Sequence, residues 1–148
     1  MSFTSLHYHI VFSTKERRAW LSSDHIQAVC RYIGGILRNH KGSLLASNGM
    51  PNHFHLAAWL HPQTNLSDCL RDVKAGSSHW LRKENKGFDG FGWQEGYSAF
   101  SVSYSGLDKV ISYIQGQPEH HKTLSFEEEL IILLKKHNIE YDPQYVFG

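Results

Sequence analysis

The chain has 148 residues, 41% hydrophobic and 20% charged, with a formal net charge of +1. This length suits one domain with a substantial core, and no apolar stretch approaches the ~20 residues of a membrane span. Two cysteines, Cys30 and Cys69, exclude a disulfide framework and are expected as reduced, packed thiols; nothing at the N-terminus reads as a secretion signal, so the expected location is the cytoplasm.

The small net charge conceals an uneven distribution. Up to Lys86, eleven Lys and Arg stand against five Asp and Glu, giving +6; from Gly87 onward four stand against nine, giving −5. A basic first part beside an acidic last part is compatible with a nucleic-acid groove and equally with solvated surface.

Residues Leu6 to Phe12 alternate, with Leu6, Tyr8, Ile10 and Phe12 on one face and His7, His9 and Val11 on the other, which predicts a first strand. A basic loop, Thr14-Lys15-Glu16-Arg17-Arg18, follows. Lys15, Arg17 and Arg18 are candidate phosphate contacts. Ser22 or Ser23 caps a predicted helix to about His40, with Ile26, Val29, Ile33, Ile36 and Leu37 as its core stripe. Ser43 to Gly49 forms a second strand, expected to pair as a hairpin with the next.

That next strand carries the most informative stretch, Met50-Pro51-Asn52-His53-Phe54-His55-Leu56-Ala57-Ala58-Trp59-Leu60. Alternation sets His53 and His55 on one face and Phe54, Leu56, Ala58 and Leu60 on the other. The apolar face calls for helices, and the histidine face is expected to be open. Two imidazoles side by side suit a divalent metal and leave positions for a further protein ligand and a substrate oxygen. His7 and His9 repeat the spacing but lack the Pro-Asn lead-in; they read as structural or DNA-facing.

From Asn65 or Ser67 a second helix is predicted to about Asn85, with Arg71, Lys74, Arg82 and Lys83 on its polar side; the first three are candidate DNA contacts. A glycine-rich loop, Gly87 to Gly92, leads through Trp93-Gln94-Glu95-Gly96-Tyr97 to a fourth strand, Ser98 to Tyr104. Of Phe88, Phe91, Trp93 and Tyr97, a minority are expected to stack on DNA bases. Leu107, Val110, Ile111 and Ile114 then recur at helical spacing behind a Ser105/Asp108 capping box, so Tyr113 and Gln117 fall one turn apart on one face. A tyrosine and an amide thereby approach the same metal. Gly116 weakens that helix by ~1 kcal/mol relative to alanine. Ser125 with Glu128 opens a last helix to about His137, and the tail from Glu140 is expected to fold back on the body.

Strand, helix, strand, strand, helix, strand is the ferredoxin-like order: an α+β fold, also seen in RRM-like modules, with helices on one sheet face, the histidines on the other, and further helices at the C-terminal end.

The histidine-apolar-histidine strand after Pro-Asn, followed by the tyrosine and glutamine at i and i+4, resembles the single-tyrosine HUH transposases of the smallest insertion sequences, with the REP-associated tyrosine transposases as relatives. The likeness runs from His9-Ile10-Val11-Phe12-Ser13-Thr14-Lys15 to Glu140-Tyr141-Asp142. It implies that His53, His55 and Gln117 hold Mg²⁺ or Mn²⁺ and that Tyr113 attacks single-stranded DNA at hairpin-bearing element ends, forming a 5′-phosphotyrosine. It also implies a homodimer whose Tyr113 helices dock on each other's histidine strands, with Ser105-Gly106 as the hinge. A non-catalytic RNA-binding module on the same scaffold, a relaxase-like or replication-initiator protein and a domesticated HUH endonuclease are the alternatives.

Overall fold

Each element follows from its local signals in the computed structural model, which describes residues 1–147. The alternating N-terminal segment is β1 (His7–Ser13). Ser22 caps α1 (Ser23–Asn39), its hydroxyl accepting from the His25 N–H while His25 Nδ1 accepts from the Ser22 N–H. β2 (Gly42–Met50) turns through Pro51 and Asn52 into β3 (His53–Leu60), as the hairpin pattern predicts. The Asn65 side chain caps α2 (Leu66–Glu84), and β4 (Ser98–Val102) closes the sheet. The strand order is β2-β3-β1-β4 with every neighbour antiparallel, which is the ferredoxin-like arrangement.

Strand alternation gives the sheet two different faces. Ile10, Phe12, Phe54, Leu56, Ala58 and Leu60 meet the stripes of α1 (Val29, Ile33, Leu37) and α2 (Leu70, Val73, Leu81) in the larger core. Phe88, Phe91 and Trp93 are buried in this core and are not free to stack on bases, while the Tyr97 hydroxyl bonds to Ser67. Cys69 lies in the same core, where burial pushes its thiol up to about 11; both cysteines are free thiols.

The histidine face differs from the open surface expected from the sequence. α3 (Leu107–Gln115) lies against β2 and β3, and α5 (Phe126–Lys136) lays Phe126, Leu130, Leu133 and Leu134 on Val11 and Phe100 as a second core. Burying four such side chains is worth ~1.5–3 kcal/mol each, enough to hold a helix over a face that alternation alone would leave to solvent. Ser125 and Glu128 form the predicted capping box of α5. Tyr141, Val146 and Phe147 of the tail pack onto this second core.

Three local boundaries also move. The fourth strand stops at Val102, two residues short of the expected end, and Ser103 caps a single 3₁₀ turn (Tyr104–Gly106) by accepting from the Gly106 N–H, so the Ser105/Asp108 capping box does not form. Gly106 has ordinary right-handed angles (φ −96°, ψ −4°), so no glycine-specific conformation marks the expected hinge. The Tyr113 helix ends at Gln115, and Gln117 opens the four-residue α4 (Gln117–His120), with Pro118 in its first turn. Among the described residues no helix is long and apolar enough to cross a membrane.

Candidate active site

The Pro51-Asn52 turn is pinned before the first histidine is placed. The Asn52 carbonyl accepts from the Thr14 N–H at 2.9 Å, and the Pro51 carbonyl accepts from the N–H groups of Trp20 and Leu21 at 2.9 and 3.1 Å. Gln94 locks the other side of this loop: its side-chain oxygen accepts from Ser13 N–H at 2.7 Å and its own N–H donates to the Ser13 carbonyl at 2.9 Å. The Thr14 and Trp93-Gln94 motifs thus fix the backbone from which β3 departs.

His53 and His55 project from β3 onto the covered face, both with no solvent exposure. Asn52 Oδ1 lies 2.8 Å from His53 Nδ1 and can only accept, so that nitrogen carries a proton, and in the neutral ring Nε2 is left with a lone pair. His55 Nδ1 lies 2.8 Å from His9 Nε2. When His55 donates this bond, its Nε2 is likewise left free, the arrangement a metal-binding imidazole uses. His9 is therefore the partner of His55 rather than a DNA-facing residue; burial first, and the neighbouring His55 second, lower its pKa to about 3.

Gln117 arrives from α4, fully buried, with Oε1 3.1 Å from His53 Nε2. The Tyr113 hydroxyl donates to Glu129 Oε2, and its ring packs edge-on to His55 at 5.8 Å. The break at Gly116 does not separate the pair: Gln117 Nε2 also donates to Glu129 Oε2, at 2.8 Å. The four predicted site residues are therefore brought together within one chain.

Two members of the cluster escape the sequence reading. Glu129 of α5, 1% exposed, places Oε1 3.0 Å from His55 Nε2 and 3.4 Å from His53 Nε2. His121, just past α4, places Nε2 3.2 Å from the same carboxylate oxygen and 2.9 Å from Gln117 Oε1. Burial alone would raise the Glu129 carboxyl, but hydrogen bonding with His53 and His55 outweighs it and holds the group well below the ordinary carboxylate range. Burial, reinforced by the hydrogen bond to Glu129, pushes the Tyr113 phenol above its usual range. His121 stands four residues beyond Gln117, and Glu129 sits on the apolar side of α5 between Phe126 and Leu130; a carboxylate inside an apolar stripe was the available signal.

A groove of about 490 Å³ reaches Tyr113 from the surface beside His9, walled by Lys109, Lys136 and His137. The other candidate DNA contacts divide. Lys15 is exposed, and Arg18 is exposed beside Glu16 at 3.0 Å. Arg17 is drawn inward, its Nε on Glu127 at 2.9 Å and a second nitrogen on the Phe147 carbonyl at 2.8 Å. On α2, across the sheet from the histidines, Arg71 meets Asp68 and Asp72, while Lys74 and Arg82 donate to the carbonyls of Gly96 and Phe91 and hold that loop in place.

The family of IS200-like transposases matches residues 2–117, most of the chain and all four predicted site residues. The chain belongs to this family. It is accordingly a transposase, an enzyme of DNA cleavage and strand transfer. Among solved structures, a protein from Deinococcus radiodurans R1 described as a transposase is 21% identical, with a TM-score of 0.61 over 79% of this chain and 95% of that one. A REP-associated tyrosine transposase bound to a REP hairpin is 18% identical, with a TM-score of 0.62 over 82% of this chain and 74% of that one. Both share the fold. No curated protein matches the chain.

Proposed function

We propose that this transposase cuts and rejoins single-stranded DNA at hairpin-bearing element ends through a covalent 5′-phosphotyrosine at Tyr113. The observation that carries the reading is the meeting of the Tyr113 hydroxyl with the His53, His55 and Gln117 cluster in one buried site. The residues fit a divalent ion, Mg²⁺ or Mn²⁺: imidazole nitrogens and an amide oxygen turn lone pairs toward one point, with the other ring nitrogen of each HUH histidine engaged elsewhere. Such an ion supplies Lewis-acid polarisation of a non-bridging phosphate oxygen.

The chain's own groups supply the rest. The Tyr113 oxygen bonds to phosphorus as the bond to the 3′ oxygen breaks, the proton passes from the phenol to the departing 3′ hydroxyl, and the phosphotyrosine retains the energy for rejoining. A phenol held protonated by burial and by Glu129 is a weak nucleophile, which is why phosphate polarisation is required. The strand enters by the groove between Lys109 and Lys136, whose cations attract its phosphates. Lys15 and Arg18 are the proposed contacts beyond it. The functional unit is one domain acting in the cytoplasm, as a homodimer that holds two ends together.

Tyr113→Phe tests the reading directly. On denaturing gels with a hairpin-bearing single strand and Mn²⁺, wild type is expected to form a covalent adduct and the variant none, with hairpin binding preserved. An adduct that persists in the variant removes Tyr113 from the nucleophile's role.

A further inference from the structure

The cluster holds more donors than the HUH pair and glutamine require. One nitrogen each from His53, His55 and His121 and one oxygen of Glu129 lie within 4.8 Å of one another. Three Nε2 atoms stand 3.0, 3.2 and 3.4 Å from Glu129 Oε1. Ligand edges around an ion with bonds of about 2.1 Å run from about 3.0 Å in an octahedron to about 3.4 Å in a tetrahedron, so the three edges that meet at Glu129 Oε1 suit a bound ion as well as hydrogen bonds.

The hydrogen-bond directions bear on the same choice. With its Nδ1 proton facing Asn52, a neutral His53 turns its Nε2 lone pair toward Glu129 Oε1 and Gln117 Oε1. The Gln117 amide cannot turn to relieve this without losing its N–H bond to Glu129 Oε2. In that tautomer the Nε2 contacts go without a proton, whereas a doubly protonated ring donates to Asn52 and to Glu129. A proton bridges one pair at a time. A single divalent ion satisfies all of them.

We propose that His121 and Glu129 join His53, His55 and Gln117 as ligands of the divalent ion, and that this set of three imidazoles, one carboxylate and one amide oxygen takes a first-row transition ion such as Mn²⁺ in preference to Mg²⁺. The proposal rests on reading the site as a metal centre, and it adds ligands that lie beyond the stretch shared with the family, which ends at residue 117. Imidazole nitrogen favours transition ions, whereas Mg²⁺ prefers oxygen ligands and retains its waters. α5 then has a chemical task besides packing: it carries the one anionic ligand. Through Oε2 the same carboxylate receives the Tyr113 hydroxyl, so ion and nucleophile are positioned by one side chain.

The test measures Mn²⁺ affinity without DNA, from loss of the free-ion electron paramagnetic resonance signal during titration of the full chain. Glu129→Gln and His121→Ala are each expected to weaken binding by roughly tenfold or more, the scale of losing a group that holds a metal. Excess Mg²⁺ is expected to leave bound Mn²⁺ in place. Circular dichroism in EDTA establishes that each variant is folded, and His121→Ala, at the rim of the site, provides the measurement if Glu129→Gln does not fold. Unchanged affinity in a folded variant overturns that residue's assignment. Tighter binding by Glu129→Gln identifies the carboxylate as a plug and overturns the proposal, and displacement by Mg²⁺ overturns the ion preference. Failure of wild type to bind Mn²⁺ removes the metal centre itself, whereas the Tyr113→Phe adduct assay reports separately on the nucleophile.

Discussion

The imidazole of His9 shows how one buried side chain links the site to pH. Its folded pKa of about 3 lies below the 6.5 of an exposed histidine, with burial as the first cause. Between these values the unfolded chain binds the proton and the folded one does not, so stability present above pH 6.5 is lost as pH falls through that window. In EDTA, where no ion competes for the rings, lowering the pH from 7 to 5 is expected to cost about 2 kcal/mol through His9 alone. His9→Gln, which keeps a hydrogen-bonding group opposite His55, is expected to flatten the dependence in urea titrations at the two pH values. An identical slope in the variant would assign the loss to other groups. Glu129 is the complementary case at this scale: Glu127, Glu128 and Glu129 read alike as an acidic first turn, and only the burial of the third separates a site residue from helix-end charge.

The elements themselves were legible because each announces itself locally. Ser22, Asn65 and Ser125 cap where the sequence puts caps, alternation assigns the faces of β1 and β3, and the strand order follows from the hairpin and two crossovers. Pro-Asn ahead of His53 and the Tyr113/Gln117 spacing likewise lead to the cluster. What local pattern does not carry is the docking of one amphipathic element on another. The stripe of α5 predicts that it packs somewhere, while the partly polar strand face offers only Val11 and Phe100 to receive it. Leu130→Ala is expected to lower stability by about 2–4 kcal/mol and to loosen this docking. It is then expected to speed modification of the buried histidines by diethylpyrocarbonate, read by mass spectrometry. Unchanged protection of His53 and His55 would mean that α5 is not what shields them.

Across the whole molecule, Tyr113 stands in the site of its own chain, a cis arrangement beside the exchanged helices that the resemblance implies. Its hydroxyl rests on Glu129 of its own chain, and that carboxylate rests on His55 of its own chain, so one chain brings the named site residues together. Mixing Tyr113→Phe with His53→Ala is therefore expected to give no recovery of cleavage, in a mixture shown by native mass spectrometry to contain heterodimers. Recovery would establish that helices exchange between protomers. α5 covers the histidine end of the site, and Arg17 is among the groups that hold this helix. In a left-handed backbone (φ 56°), Arg17 joins the loop after β1 to Glu127 in the first turn of α5 and to Phe147 in the tail, with its guanidinium 5.1 Å from the Phe147 ring centre. A DNA phosphate offers this guanidinium a stronger, bidentate partner than the single Glu127 contact. A phosphate brought to this loop would compete with α5 for one cation, and its binding would weaken the hold on the covering helix.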